Sequence, residues 1–260
     1  MNRTKRKTKP SSRRGVVVYE GPSMIGDRSP IVAILTWHSA NRKTGDLAQL
    51  WILPATQSPL DAVKANNNRG ACGDCILQGR NLDGRQIGRT CYVNLGQAPA
   101  AIFSAWRRGL YLPWNRSRDR NRLKGRGLRL GAYGDPAALP LWLLRALTNA
   151  AEFHTGYTHQ IESLSRRRAD AVASLCMVST ETEEQRQRMN DRGYRTFHVV
   201  PLAQLDEATT DRNQIPCPYY SHGATCDRCR LCGGSSQSAA SIVVGSHGPG
   251  RGNLVGTAAA

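Results

Sequence analysis

Leu128-Arg129-Leu130-Gly131-Ala132-Tyr133-Gly134-Asp135-Pro136 is the stretch that decides the fold. Residues 128–133 have the composition of a strand, Gly134 and Pro136 stop it, and an apolar helical pattern follows over residues 137–150. The same order, strand then helix, recurs along most of the chain. Strands are expected at 48–53, 128–133, 153–157, 171–178, 195–200 and 241–244, and helices at 99–108, 137–150, 159–167 and 181–192, with a short one at 202–205. Alternation of this kind implies parallel strands joined by crossovers, hence an α/β fold, either a barrel or an open sheet. Ahead of it, residues 15–20 and 31–37 read as strands of an N-terminal β section spanning 15–47, with turn chemistry at 41–45. Asn41-Arg42-Lys43-Thr44-Gly45 lacks the spaced glycines of a phosphate-binding loop.

Seven of the eight cysteines interrupt this alternation in two sets. Cys72, Cys75 and Cys91 form C-x2-C-x15-C and offer three thiolates; Cys217, Cys226, Cys229 and Cys232 form C-x8-C-x2-C-x2-C and offer four. The chain has 260 residues, 40% of them hydrophobic, enough for one large core. No apolar segment follows the basic N-terminus, and the most apolar stretch, 137–147, is broken by Pro140 and Arg145. A signal peptide and a membrane span are therefore not expected, and a cytoplasmic location is. In a reducing compartment clustered cysteines are metal ligands or redox groups more often than disulfides. The triple run with the Cys217-Pro218 pair matches the ligand style of bacterial ferredoxins, although the Cys-Pro comes first here. Zinc is the competing occupant, because four thiolates make an ordinary structural zinc site.

The net charge of +17 is concentrated. Residues 1–14 hold Arg3, Lys5, Arg6, Lys7, Lys9, Arg13 and Arg14 and no acid. Residues 107–129 hold Arg107, Arg108, Arg116, Arg118, Arg120, Arg122, Lys124, Arg126 and Arg129 against Asp119. Charge gathered in this way attracts phosphate backbones through counterion release, so nucleic acid or a nucleotide is the expected partner. The other reading is a disordered, solubilising arm at 1–14 and a solvated loop. Residues 249–260, rich in Gly and Ala, read as a disordered tail.

Taken together, the order of these elements resembles that of radical-SAM enzymes. Their partial (βα)6 TIM-like barrels hold a [4Fe-4S] cluster on three cysteines after the first strand. The Tyr133-Gly134-Asp135-Pro136 turn is similar to the Gly-Gly-Glu-Pro turn that takes the amino group of S-adenosylmethionine, with Asp for Glu and Tyr for the first Gly. The strand leading from Ala171 to Glu181 looks like the ribose-side strand. The resemblance covers residues 48–245 and implies Gly134, Asp135, Ser174 and Ser179 as cofactor contacts. The first cysteine set departs from the usual C-x3-C-x2-C spacing. Cys91-Tyr92, the turn at 128–136, Tyr157-Thr158-His159-Gln160, Arg195-Thr196-Phe197, residues 229–234 and the closing residues 242–248 also resemble uncharacterised cysteine-rich proteins of phages and mobile elements. The domain reading is then an arm at 1–14, the β section at 15–47, the barrel at 48–248 with a Cys-rich insert at 217–234, and the tail.

A fourth ligand for the first set could be Cys176, a histidine or the substrate. Cys176 also suits burial as a small hydrophobe. His247 follows the last strand, and His154 and His159 flank the third, so each can reach a barrel mouth or be a structural histidine. Asp135, directly after a strand, suits an amine or a metal-bound water, and equally suits capping the next helix. Two functions follow. One is an iron-sulfur enzyme, with S-adenosylmethionine as a further cofactor, that uses Asp135, His159 and His247 to modify a nucleic acid or nucleotide by radical chemistry. The other is a non-catalytic, zinc-stabilised nucleic-acid-binding protein. A thiol redox role for Cys72 and Cys75 would leave Cys91 and the second set without purpose.

Overall fold

Residues 31–35 are apolar without exception and wholly buried, which requires a strand covered on both faces. In the computed structural model, which describes residues 10–248 and 250–254, this run lies near the middle of a sheet. Residues 1–9 of the basic arm, and residues 249 and 255–260 of the tail, lie outside the described residues. The strands are β1 (Gly15–Pro22), β2 (Pro30–Thr36), β3 (Ala48–Pro54), β4 (Arg80–Leu82), β5 (Arg85–Ile87), β6 (Leu112–Pro113), β7 (Gly127–Tyr133), β8 (Phe153–Thr155), β9 (Tyr157–Thr158), β10 (Met177–Thr180), β11 (Thr196–Val200), β12 (Gln214–Pro216) and β13 (Ser241–Gly245).

The molecule is mixed α/β with parallel sheets. One sheet has the order β6-β1-β2-β3-β7-β8, with β1, β2 and β3 antiparallel and β3, β7 and β8 parallel. The N-terminal β section is therefore continuous with the α/β part, through pairing of β2 with β3. The second sheet, β12-β13-β11-β10-β9, is parallel throughout. Among the described residues the strands form these separate sheets and no closed barrel. Only Gly156 separates β8 from β9, so one passage of chain serves both sheets. A Cβ at Gly156 would stand 2.9 Å from the Cys176 sulfur and 3.1 Å from Leu130, which explains a residue without one.

Period-two alternation sends Ile31, Ala33 and Leu35 into the main core with Leu128, Leu130, Leu144 and Val172. Val32 and Ile34 go to the opposite face with Leu53, Tyr133 and Ile102, under the helix Ala98–Arg107. Met177, Phe197, Ile242 and Val244 form a third, smaller cluster beside Cys217 and Cys232.

The expected strand at 171–178 begins later, at Met177, because residues 171–173 complete the helix Arg166–Ala173. Ala169, Val172 and Ala173 are buried at helical spacing, and this outweighs the apolar run that suggests a strand. The expected helix at 137–150 is divided by Pro140 into a short turn, Pro136–Ala138, and the helix Leu141–Thr148. Of the residues read as a tail, 250–254 are described; they contain the turn Arg251–Asn253, and Asn253 donates to the Arg89 carbonyl at 3.0 Å.

Candidate active site

The turns after the parallel strands converge on one cavity. Gly134 and Asp135 follow β7, His159 follows β9, Ser179 lies near the end of β10, and Ser246 and His247 follow β13. Cys72, Cys75 and Cys91 line the same cavity, as does Cys226 from the second set. Loops at the C-terminal ends of parallel strands are where α/β proteins place their chemistry.

The fifteen residues between Cys75 and Cys91 fold back on themselves. A short turn, Ile76–Gln78, leads into the hairpin β4–β5, whose Asp83-Gly84 corner has the positive φ values (50° and 79°) of a tight two-residue turn. The chain then returns, and the Cys91 amide donates to the Leu77 carbonyl at 2.8 Å. A long gap in sequence thus becomes a short one in space.

The Cys72–Cys75 loop is held from below. The Asp135 amide donates to the Ala71 carbonyl at 2.8 Å. Gln160, almost wholly buried, donates to the Cys72 carbonyl at 3.1 Å and accepts from the Asp74 amide at 3.3 Å. Gly73 has φ +55°, and a Cβ there would lie 2.0 Å from the Gln160 side-chain oxygen, so this approach needs glycine. Burial pushes the Cys72 thiol well above its ordinary range, with Cys75 and Cys91 adding to the push. Burial also raises Cys91, against the opposing pull of Arg89.

Asp135 is 5% exposed, and its carboxylate is engaged. Oδ1 accepts from the Ala137 amide at 2.9 Å and the Thr158 hydroxyl at 2.8 Å; Oδ2 accepts from the His159 amide at 2.8 Å. It therefore caps the turn after β7 and ties it to the loop after β9. Burial raises its pKa, with His159 and these hydrogen bonds opposing. Burial would lower His159, but Cys75 and Glu181 outweigh burial and hold the imidazole well above the ordinary histidine range. His159 Nε2 and Glu181 Oε1 stand 2.9 Å apart as a largely buried ion pair.

His247 stacks on Tyr92 with ring centroids 5.0 Å apart. Ser174 is not brought to the cavity: it ends the helix Arg166–Ala173, its hydroxyl donating to the Ala171 carbonyl, at the far end of β10. The later start of that strand displaces it. His154 bonds the Leu175 carbonyl at 3.0 Å, and Cys176 is in the main core.

In the second set, Cys217, Cys226, Cys229 and Cys232 line one small cavity with Lys43 and Tyr157. The Cys226 amide donates to the Lys43 carbonyl, which docks the 41–45 turn here. Arg195, 8% exposed, binds the carbonyls of Leu231, Gly234 and Ala240 at 2.6–3.0 Å and so braces the insert. Burial pushes the Cys232 thiol up to about 12. All eight cysteines are free, and no group of three or more His, Cys, Asp or Glu side chains among the described residues stands in an arrangement that could hold a metal ion as it is. The donors fit a soft metal in kind, each set facing a shared cavity, and binding would displace thiol protons.

The basic residues at 107–126 divide. Arg118 pairs with the buried Asp119 at 2.6 Å, Arg122 binds the Ser12 and Arg13 carbonyls, and Arg126 reaches the Trp37 carbonyl and Asp46. Arg107 lies over Trp106, and Arg108 bonds the Ser104 carbonyl. Arg116, Arg120 and Lys124 are exposed and form no ion pair among the described residues. No helix among the described residues is long and apolar enough to cross a membrane.

Gln160, Glu181, Arg195, Lys43, Tyr92 and Arg129 are functional candidates to which the sequence assigned no role at this site; Arg129 stood in the basic run, and Gln160, Tyr92 and Arg195 stood in segments quoted for the resemblance. No family model, no curated protein and no solved structure matches the chain.

Proposed function

We propose that the chain is an iron-sulfur enzyme on a partial (βα)6 barrel of the radical-SAM kind, acting on a nucleotide or nucleic acid. The observation that carries this reading is the placement of three thiols, Cys72, Cys75 and Cys91, on a cavity beyond the C-terminal ends of parallel strands, with Cys176 turned away into the core. The passages β3, β7, β8 with β9, β10, β11 and β13 are parallel and sequential, as such a barrel requires. A [4Fe-4S] cluster held by three thiolates leaves an iron open to an exogenous ligand such as S-adenosylmethionine and supplies single electrons. The chain's own contribution is positional. Asp135 and Gln160 lock the loop carrying Cys72, His159 lies against Cys75 and Glu181, and Ser179 lines the wall. In this reading the second set holds a closed, structural or electron-transfer site.

The test is anaerobic purification and reconstitution, followed by iron, sulfide and zinc analysis and an assay for reductive cleavage of S-adenosylmethionine. Replacing Cys72, Cys75 and Cys91 together by Ala should remove one cluster's iron and all cleavage. Zinc alone in both sets, with no iron after reconstitution, would overturn the proposal in favour of a zinc-stabilised binding protein.

A further inference from the structure

The cavity contains two cations, and the one carboxylate on its lining, Asp135, is ion-paired to neither. Arg129, on β7, lines it and is 6% exposed. A guanidinium has five donors, and this one donates to the Tyr92 hydroxyl and forms no ion pair with an acid among the described residues. Lys43 lines the cavity too, its ammonium over the Tyr219 and Tyr220 rings at 5.7 and 4.4 Å and 3.3 Å from the Tyr220 hydroxyl, also with no acid partner among the described residues. The two cations lie close enough to repel each other. Sheltered cations gathered on an open space make an anion site, since burial of an unpaired charge is costly and an incoming anion relieves it.

Beside them stands an aromatic wall. Tyr92 and His247 are stacked, with Tyr220 at 5.5 Å from His247, and Tyr92 is 38% exposed. Such faces take the flat face of a nucleobase. Resting on the proposal that this cavity is the substrate site, we infer that the substrate is a small molecule with a planar ring and an oxyanion, of nucleoside monophosphate type. The oxyanion binds Arg129 and Lys43, and the ring binds Tyr92 and His247. The competing role for the cations is to offset thiolate charge at Cys226, which lies near both.

The experiment is calorimetric titration of the anaerobically purified protein, its metal content measured first, with AMP, GMP, inorganic phosphate, adenosine and a ten-residue oligonucleotide. Either mononucleotide should bind, with phosphate as competitor. Arg129→Met and, as a second variant, Lys43→Met should each weaken mononucleotide binding tenfold or more at unchanged metal content. Tyr92→Ala should weaken the mononucleotide but not phosphate. Three outcomes would overturn the inference: neither mononucleotide binds; the oligonucleotide alone binds; or the Arg129 and Lys43 variants lose metal while nucleotide affinity is unchanged. Zinc alone in the metal analysis would sink the iron-sulfur reading, while Arg129-dependent nucleotide binding would still support this one.

Discussion

Asp135 shows how one residue can be placed for chemistry and yet be occupied by structure. Three donors already reach its two oxygens, so its first duty is to hold the turn after β7 against the loop after β9. In Asp135→Asn one acceptor oxygen becomes an NH2 group that cannot accept, leaving at least the His159 amide, or the Ala137 and Thr158 donors, without a partner. An unsatisfied buried group costs about 1–3 kcal/mol, so denaturant unfolding of the variant should show a loss of that size. Unchanged stability would mean that the carboxylate is free to serve a ligand. Gln160 makes the complementary point. It is uncharged and was given no role by the sequence, yet it decides where Cys72 sits, through a contact that only glycine at 73 permits.

At the scale of elements, the helix Glu183–Asp191 starts with Thr182 capping the Gln185 amide, and Arg186 joins Glu183 and Asp211 at 2.5 and 2.6 Å. The hydrogen bond from Arg186 holds the Glu183 carboxyl below its usual range. A carboxyl lowered in the folded state contributes stability above its unfolded pKa and loses it as pH falls through the folded value. Glu183 is about half exposed, so solvent screening keeps the contribution below about 1 kcal/mol. Glu183→Gln should therefore narrow the stability difference between pH 7 and pH 3, and an unchanged difference would show that the pair contributes nothing. The strand-helix alternation was legible because 128–133 and 241–244 are short, largely apolar runs bounded by turn residues, and both are almost wholly buried. The helix Arg166–Ala173 was misplaced because an apolar run beside it satisfies both periods until its partners are known. The hairpin β4–β5 went unread although Asp83-Gly84 announces its corner. That Cys72, Cys75 and Cys91 share one cavity and the other four cysteines of the sets another follows their spacing, whereas the pairing of Arg129 with Tyr92 and of Lys43 with Tyr220 was not legible, since these partners come from remote parts of the chain.

Across the whole molecule, positive charge is divided between the surface and the cavity. Arg116, Arg120 and Lys124 face solvent, and Arg129 and Lys43 face the cavity. The passage that carries β9 touches both cysteine sets. The Gly156 amide donates to the Cys232 carbonyl at 3.1 Å, and four residues later Gln160 donates to the Cys72 carbonyl. Five consecutive residues thus act as a common spine for two ligand sets far apart in sequence. Under the proposed function, a metal held by one set would stiffen the backbone on which the other depends, so loading should be cooperative. Replacing Cys226, Cys229 and Cys232 by Ala should lower metal affinity at Cys72, Cys75 and Cys91, measured by competition with a chelator. Affinity at the first set that is indifferent to the second would show that the two fill independently.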